Sequence, residues 1–457
     1  MTVLAFLFPW VLGVLWMNVL EKHGASPRPG LAWSAGFGLG MGVAAFLYGV
    51  GFFAGIHHLP VFPYLDMVVC ALTGILLAWP IKKTMDPFLR TQILSCVPWR
   101  FSWIGIGYGI LLAFSILLFI GYACLEPHGG WDAWAIWNLK ARFLFRGVAD
   151  GNQMFSSHIS WSHPDYPLLL PSIIARWWNW AGRETMIIPA AVSGAFTFGL
   201  VFLSKAGLTT AQGRMAGYAG AFALLGTLNL VRHGAYLGAD IPLAFFFLAA
   251  IVILVLLGDE PLQWVPGLGT AGFLAGCALW TKNEGMLFFP ALLLGWAVAS
   301  WKMKRMGKAW MELMWMVLGA SPFLALWVVL KIHCSPSNDL LASLSLPLIA
   351  DRLLDPTRHG VILRTAVWTI VKMGSPIVLC VFWFFLRDKK RIERTPARTA
   401  GSLALIFMAA GYYAAYLFSP YDLAWHLSTS AERLLLQIWP SALFLAILGL
   451  RFKPYKR

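Results

Sequence analysis

Apolar runs of about twenty residues recur from one end of this 457-residue chain to the other, divided by short hydrophilic breaks. Inside a bilayer such a run must satisfy its own backbone hydrogen bonds, and runs of this length do so as helices rather than as the shorter strands of a barrel. Composition agrees: 59% hydrophobic residues against 12% charged leaves too little polar surface for a water-soluble globule. The expected fold is all-α, a polytopic transmembrane bundle of about 13 helices. Their expected positions are near 3–20, 36–56, 64–81, 103–122, 186–204, 215–230, 241–257, 267–281, 285–300, 310–331, 364–386, 400–418 and 434–450. The first run has the length of a signal-peptide core, but no basic segment precedes it and no small-x-small pattern follows, so it reads as a retained helix.

A formal net charge of +15 would point to nucleic acid in a soluble domain. Here the cations fall in alternate breaks: Lys22 and Arg28; Lys82, Lys83, Arg90 and Arg100; Lys205 and Arg214; Lys302, Lys304, Arg305 and Lys308; Arg387 to Arg398; and the tail from Arg451. These breaks hold 22 of the 35 Lys and Arg, against 10 in the opposite set, which assigns them to the cytoplasm. No nucleic-acid partner is expected; the partners are membrane lipids and the substrates argued below. The opposite set, 57–63, 123–185, 231–240, 282–284, 332–363 and 419–433, then faces outward and carries 12 of the 20 acids, so function is expected there. The short pair of helices around TKNEG reads either as two spans or as a re-entrant hairpin. Six cysteines lack any metal or CxxC spacing and read as buried thiols; only Cys124 and Cys334 lie near one face, where a disulfide is conceivable.

The outward segment Gly129 to Glu184 is far longer than a helix connection needs and is rich in Trp, Pro and His. Trp134, Trp137, Ala141, Leu144 and Phe145 recur at helical spacing, with Lys140, Arg142 and Arg146 on other faces, as in an amphipathic helix lying in the interface with its cations near phosphates. Leu168 to Trp180, with Arg176, reads similarly. Asp132 opens the first of these helices, and two readings stand: an N-cap, or a general base facing a cavity. Glu126 and Asp150 rank below it. In SHPDYPLLLP, prolines flank His163, Asp165 and Tyr166 and stiffen the loop that holds them. These three orient substrate, or they pack the loop onto the bundle. Arg232, His233, Tyr236 and Asp240, and Tyr421, Asp422, His426 and Glu432, fill two shorter outer breaks and are lesser candidates.

An aspartate in an aromatic helix of the outer loop, then an HPP-like motif at His163 ahead of Pro167-Leu168-Leu169, then Gly182-Arg183-Glu184 leading into the next span, resembles the GT-C membrane glycosyltransferases. The similarity is to bacterial relatives of protein O-mannosyltransferase and lipid A aminoarabinose transferase. It covers Gly129 to Phe198, with echoes at Trp280 to Pro290 and Glu432 to Pro440. The sequence departs from the family in three places. Ala133 follows Asp132 where many members pair two acids, Asp165 replaces the second proline of the motif, and about three helices precede the one that leads into the loop. The chain therefore divides into residues 1–102, which the resemblance does not explain, and a GT-C-like core, 103–457, with the large loop 123–185.

The resemblance implies a polyprenyl-phosphate sugar as donor, a lipid, glycan or protein as acceptor, and a site facing the periplasm or exterior of a bacterial inner membrane. Arg433 stands where the family places a phosphate-binding arginine, with simple snorkelling as the plain alternative. Lys282 would neutralise phosphate with Glu284 holding it, or the two would only close a helix hairpin. The expected reaction is an inverting displacement with Asp132 as base, Arg433 and Lys282 on the phosphate, and His163, Asp165 and Tyr166 contacting substrate. No metal ligands are assigned and no cofactor is certain; family members differ over a divalent cation. Competing classes are a transporter or lipid flippase, which would show inverted repeats and mid-membrane ionisable groups, and a surface-glycan ligase or polymerase.

Overall fold

The computed structural model describes residues 2–21, 28–59, 61–78, 102–147, 151–227, 229–257, 264–334, 345–373, 395–450 and 452. Several expected features lie outside these: Lys22, the basic break from Lys82 to Arg100, most of 258–266, the second part of 364–386, most of the basic run after Arg387, most of the basic tail, Cys96, Cys380 and Asp150. Among the described residues the secondary structure is helical, with no β-strand.

The helices are α1 (Thr2–Glu21), α2 (Pro29–Phe53), α3 (Phe62–Ala78), α4 (Trp103–Leu125), α5 (Asn138–Arg146), α6 (Leu169–Ala181), α7 (Ile187–Gln212), α8 (Arg214–Leu225) and α9 (Leu230–Ala235). They continue with α10 (Asp240–Leu257), α11 (Trp264–Thr281), α12 (Asn283–Lys302), α13 (Met306–His333), α14 (Leu346–Leu353), α15 (Pro356–Lys372), α16 (Pro396–Leu417) and α17 (Leu423–Leu448). Eight of them, α1, α2, α4, α7, α12, α13, α16 and α17, are long and apolar enough to cross a membrane, and α3, α10 and α11 are shorter apolar helices. The chain is a multi-pass integral membrane protein. Of the spans expected, the one near 215–230 is reduced to α8, whose 12 residues cover about 18 Å, well short of a hydrocarbon core of about 30 Å.

The bundle is built around α10. Every side chain from Leu243 to Leu254 is inaccessible, so this helix is apolar on all sides, as a central post must be. Helices α7, α11 and α17 pack directly on it. At the periphery, α4 exposes most of its apolar residues and contacts the bundle mainly through α8 and α9. Small residues set close crossings: a methyl group on Gly272 would lie 2.0 Å from the Met316 carbonyl oxygen, and one on Gly319 would lie 1.9 Å from that of Gly269, so α11 and α13 meet backbone to backbone.

The outer-loop helices correct the surface placement that periodicity suggested. Trp137, just before α5, and Lys140, Ala141 and Leu144 of α5 are buried, and α6 is buried from Leu169 to Arg176. Both helices join the same continuous apolar core as α1 and α2. Arg176, expected at the interface, donates to Asp66 of α3 at 2.7 Å and to the Ala5 carbonyl of α1 at 2.5 Å. Arg142 and Arg146 pair with Glu184, at 3.2 and 2.6 Å. The four described cysteines, Cys70, Cys124, Cys277 and Cys334, are free thiols.

Candidate functional site

Asp240, the first residue of α10, gathers the site around itself. A carboxylate at this position faces the unpaired N–H groups of the helix's first turn and is favoured there. Three donors converge on it from two neighbouring segments. Arg433 and Gln437 are four residues apart on α17 and so share one face. Arg433 Nε donates to Asp240 Oδ2 at 2.9 Å, and Gln437 Nε2 donates to Oδ1 at 2.6 Å. Lys282 Nζ also reaches Oδ1, at 2.9 Å.

Lys282 is a one-residue junction. Helix α11 ends at Thr281, α12 begins at Asn283, and Lys282 between them is extended, at φ −159° and ψ 158°. The antiparallel pair is so close that a methyl group on Gly285 would lie 2.0 Å from the Ala278 carbonyl oxygen, so only glycine fits. This turn drives the Lys282 side chain inward, where it is 3% exposed, and sets Glu284 beside it at 2.8 Å. Gln437 Nε2 also lies 3.2 Å from Glu284 Oε1, while its own Oε1 accepts from the Tyr412 hydroxyl at 2.5 Å. A carboxylate accepts only, so the amide nitrogen of Gln437 must face the two acids and its oxygen the phenol. The second oxygen of Glu284, Oε2, is buried and accepts no hydrogen bond among the described residues.

Asp132 completes the chain of alternating charge. Arg433 Nη2 donates to Asp132 Oδ2 at 2.5 Å, so one guanidinium joins Asp132 to Asp240. The N-cap reading is not realised, because the Asp132 side chain makes no capping bond. Its backbone is fixed from the other side. Gly129 has φ +71°, and an added methyl group there would lie 2.5 Å from the Tyr236 carbonyl oxygen, to which Gly130 N–H donates at 3.0 Å. Asp132 then leads into a π-helical turn, Ala133–Trp137.

The SHPDYP segment closes over this network. Tyr166 stacks on Trp137, with ring centres 5.6 Å apart, and on His163 at 4.8 Å. Its ring also lies 5.9 Å from both Lys282 Nζ and Lys140 Nζ, within cation–π range. His163 takes a left-handed backbone at φ +49°, and burial pushes its imidazole below the ordinary range, towards the neutral form. Asp165 is buried; its carboxylate accepts from Asn283 at 2.6 Å and its carbonyl from Lys331 at 2.6 Å. Asp165 is therefore a strut from the loop to α12 and α13, one residue away from Lys282. Lys140, expected near lipid phosphates, instead donates to the carbonyls of His163 at 2.8 Å, Tyr166 at 2.9 Å and Pro164 at 3.4 Å.

All seven residues singled out in the sequence thus lie in one connected cluster. Asp132, Arg433, Lys282 and Glu284 are linked by direct ion pairs through Asp240, and His163, Asp165 and Tyr166 form the loop above them. Asp240, a lesser candidate in the sequence, stands at the centre of the cluster, and Gln437, Tyr412, Asn283 and Lys331 join it without having been candidates. The signal for Gln437 was its four-residue spacing from Arg433; the others carry no local signal. At the flank, Glu432 accepts from Asn229 at 2.5 Å and lies 3.5 Å from His233. Among the described residues no three His, Cys, Asp or Glu side chains gather as metal ligands, and the acids of the site are matched by Arg433, Lys282 and Lys331. Comparison of the chain with protein-family models, curated proteins and solved structures finds no match.

Proposed function

We propose that the protein is a membrane glycosyltransferase that moves a sugar from a polyprenyl-phosphate carrier to an acceptor hydroxyl on the extracytoplasmic side, with inversion. The observation that carries this reading is the meeting of Asp132 and Arg433, 301 residues apart in sequence, at the head of α10. A candidate base and a candidate phosphate cation share one place, with Lys282 two ion pairs further along. The side chains of Asp132 and Arg433 are 23% and 25% exposed, so this end of the network is reachable, while Asp240 and Lys282 lie deeper. The charge asymmetry of the chain favours the extracytoplasmic side for this end.

In this reading the acceptor oxygen attacks the anomeric carbon while its proton passes to the Asp132 carboxylate. The bond from the anomeric carbon to the phosphate oxygen breaks, and its electron pair leaves with the phosphate, which changes from a singly charged diester to a more highly charged monoester. Arg433 and Lys282 stabilise that growing charge, so no acid is needed on the leaving group.

The test is transfer of labelled sugar from an undecaprenyl-phosphate carrier in proteoliposomes. Asp132→Asn is expected to lower turnover by about 10²–10⁴, the range for a general base, with donor still bound. Normal turnover in that variant removes Asp132 from the chemistry.

A further inference from the structure

The two sides of the Arg433 guanidinium are held differently. On the inner side, Nε is committed to Asp240, a carboxylate that also accepts from Lys282 and Gln437 and is fixed by the most buried helix of the bundle. On the outer side, Nη2 meets Asp132, whose carboxylate has Arg433 as its one hydrogen-bond partner among the described residues. Asp132 also sits at the entry to a π-helical turn, a rare geometry associated with local adjustment at functional sites. The guanidinium is therefore spread over two carboxylates with one bond to each.

A phosphate binds arginine best through two parallel N–H bonds. With Nε tied inward, the pair of nitrogens left for a phosphate is Nη1 and Nη2, and Nη2 is the atom that Asp132 holds. We infer that Asp132 occupies, in the ligand-free protein, the place on Arg433 that a ligand phosphate takes, so that phosphate binding and release of the Asp132 carboxylate are one event. This rests on the proposed function and deepens it: the base is masked until the donor's phosphate unmasks it. Two anions competing for one guanidinium at a partly open site repel, so removing the resident charge strengthens binding of the incoming one.

The experiment uses the full chain in nanodiscs and a short-chain isoprenyl monophosphate as probe. Asp132→Asn is expected to bind the probe on the order of tenfold more tightly than wild type at low ionic strength, with the gain shrinking as salt rises. Asp132→Glu, which restores the charge, is expected to return towards wild-type affinity. If wild type binds and Asp132→Asn binds equally or less tightly, the competition is wrong while a phosphate site survives. If neither chain binds the probe, both the inference and the proposed function fall. A second measurement needs no variant: carbodiimide labelling of the Asp132 carboxylate in wild type is expected to rise several-fold on probe binding, with exposed Glu126 as the constant reference. Unchanged labelling under saturating probe overturns the inference.

Discussion

Lys140 carries an ammonium into the protein interior, being 1% exposed, and uses it to draw three carbonyls of the SHPDYP turn onto one point. Burial pushes this amine down to about 7 from an ordinary value of 10.5. The sign of the consequence follows from proton counting. Between about 7 and 10.5 the unfolded chain binds more protons at this lysine than the folded one, so stability rises with pH across that window, by at most about 1.4 kcal/mol per unit. Below about 7 the lysine is protonated in both states and its cost is constant. Thermal unfolding of wild type in detergent is expected to move to higher temperature from pH 7 to 9, and Lys140→Met to lose that slope. A parallel slope in both proteins removes Lys140 as its source. The buried direction of this side chain was legible after all: positions 137, 140, 141 and 144 recur at the spacing of one helix face. Its residue type pointed to the surface while its position pointed to the core. Trp134, by contrast, is 41% exposed although it fits the apolar stripe in sequence, because it lies within the π-helical turn, whose wider winding shifts the face it presents relative to α5.

At the scale of elements, the loop and the three N-terminal helices explain one another. Helix α6 is cradled by α1, α2 and α3, with Phe6 stacked on Trp177 at 4.9 Å and the Tyr48 hydroxyl accepting from Asn179 at 3.2 Å. The Arg176–Asp66 pair locks this packing, its side chains 6% and 1% exposed. Removing one partner strands the other charge, so Asp66→Ala is expected to destabilise by about 3–5 kcal/mol. Replacing both, as Asp66→Leu with Arg176→Met, is expected to recover most of that loss. Denaturation of the single and double variants checks this; a double variant as unstable as the sum of two singles would falsify the pairing. Hydropathy marked α1, α2 and α3 correctly as apolar segments, but nothing in residues 1–102 signals that they hold the loop, because that function is visible only where Arg176 meets Asp66, 110 residues away. The same limit hid Lys331 and Asn283, whose link to Asp165 joins the loop to two later helices.

For the molecule as a whole, the site occupies one end of the bundle, where α4, α11 and α13 finish and α7, α10, α12 and α17 begin. Native cysteines report on this arrangement. Cys124, near the end of α4, is exposed, whereas Cys277, one turn before Lys282, is inaccessible. In a chain with Cys96 and Cys380 replaced by serine, a membrane-impermeant maleimide applied to the extracytoplasmic side is expected to label Cys124 and to spare Cys277. Labelling of Cys124 only from the cytoplasmic side would invert the proposed orientation. The hydrophobic runs made most of the helices readable, and the aromatic context drew attention to Asp132, which the structure places against Arg433. The acid at the centre was not readable, because Asp240 becomes the hub only when α11 and α17 close around α10 and bring Lys282, Arg433 and Gln437 to it.

The single-residue bend at Lys282 has one more consequence. Each added residue turns an α-helix by about 100° and lengthens it by about 1.5 Å. A longer connection at this point would swing Glu284 off the ammonium and relax the contact that Gly285 makes with Ala278. Evolutionary tinkering with length is therefore barred here, and chains sharing this design should vary freely in the breaks at the far end of α12 while keeping the Thr281-to-Gly285 stretch free of insertions.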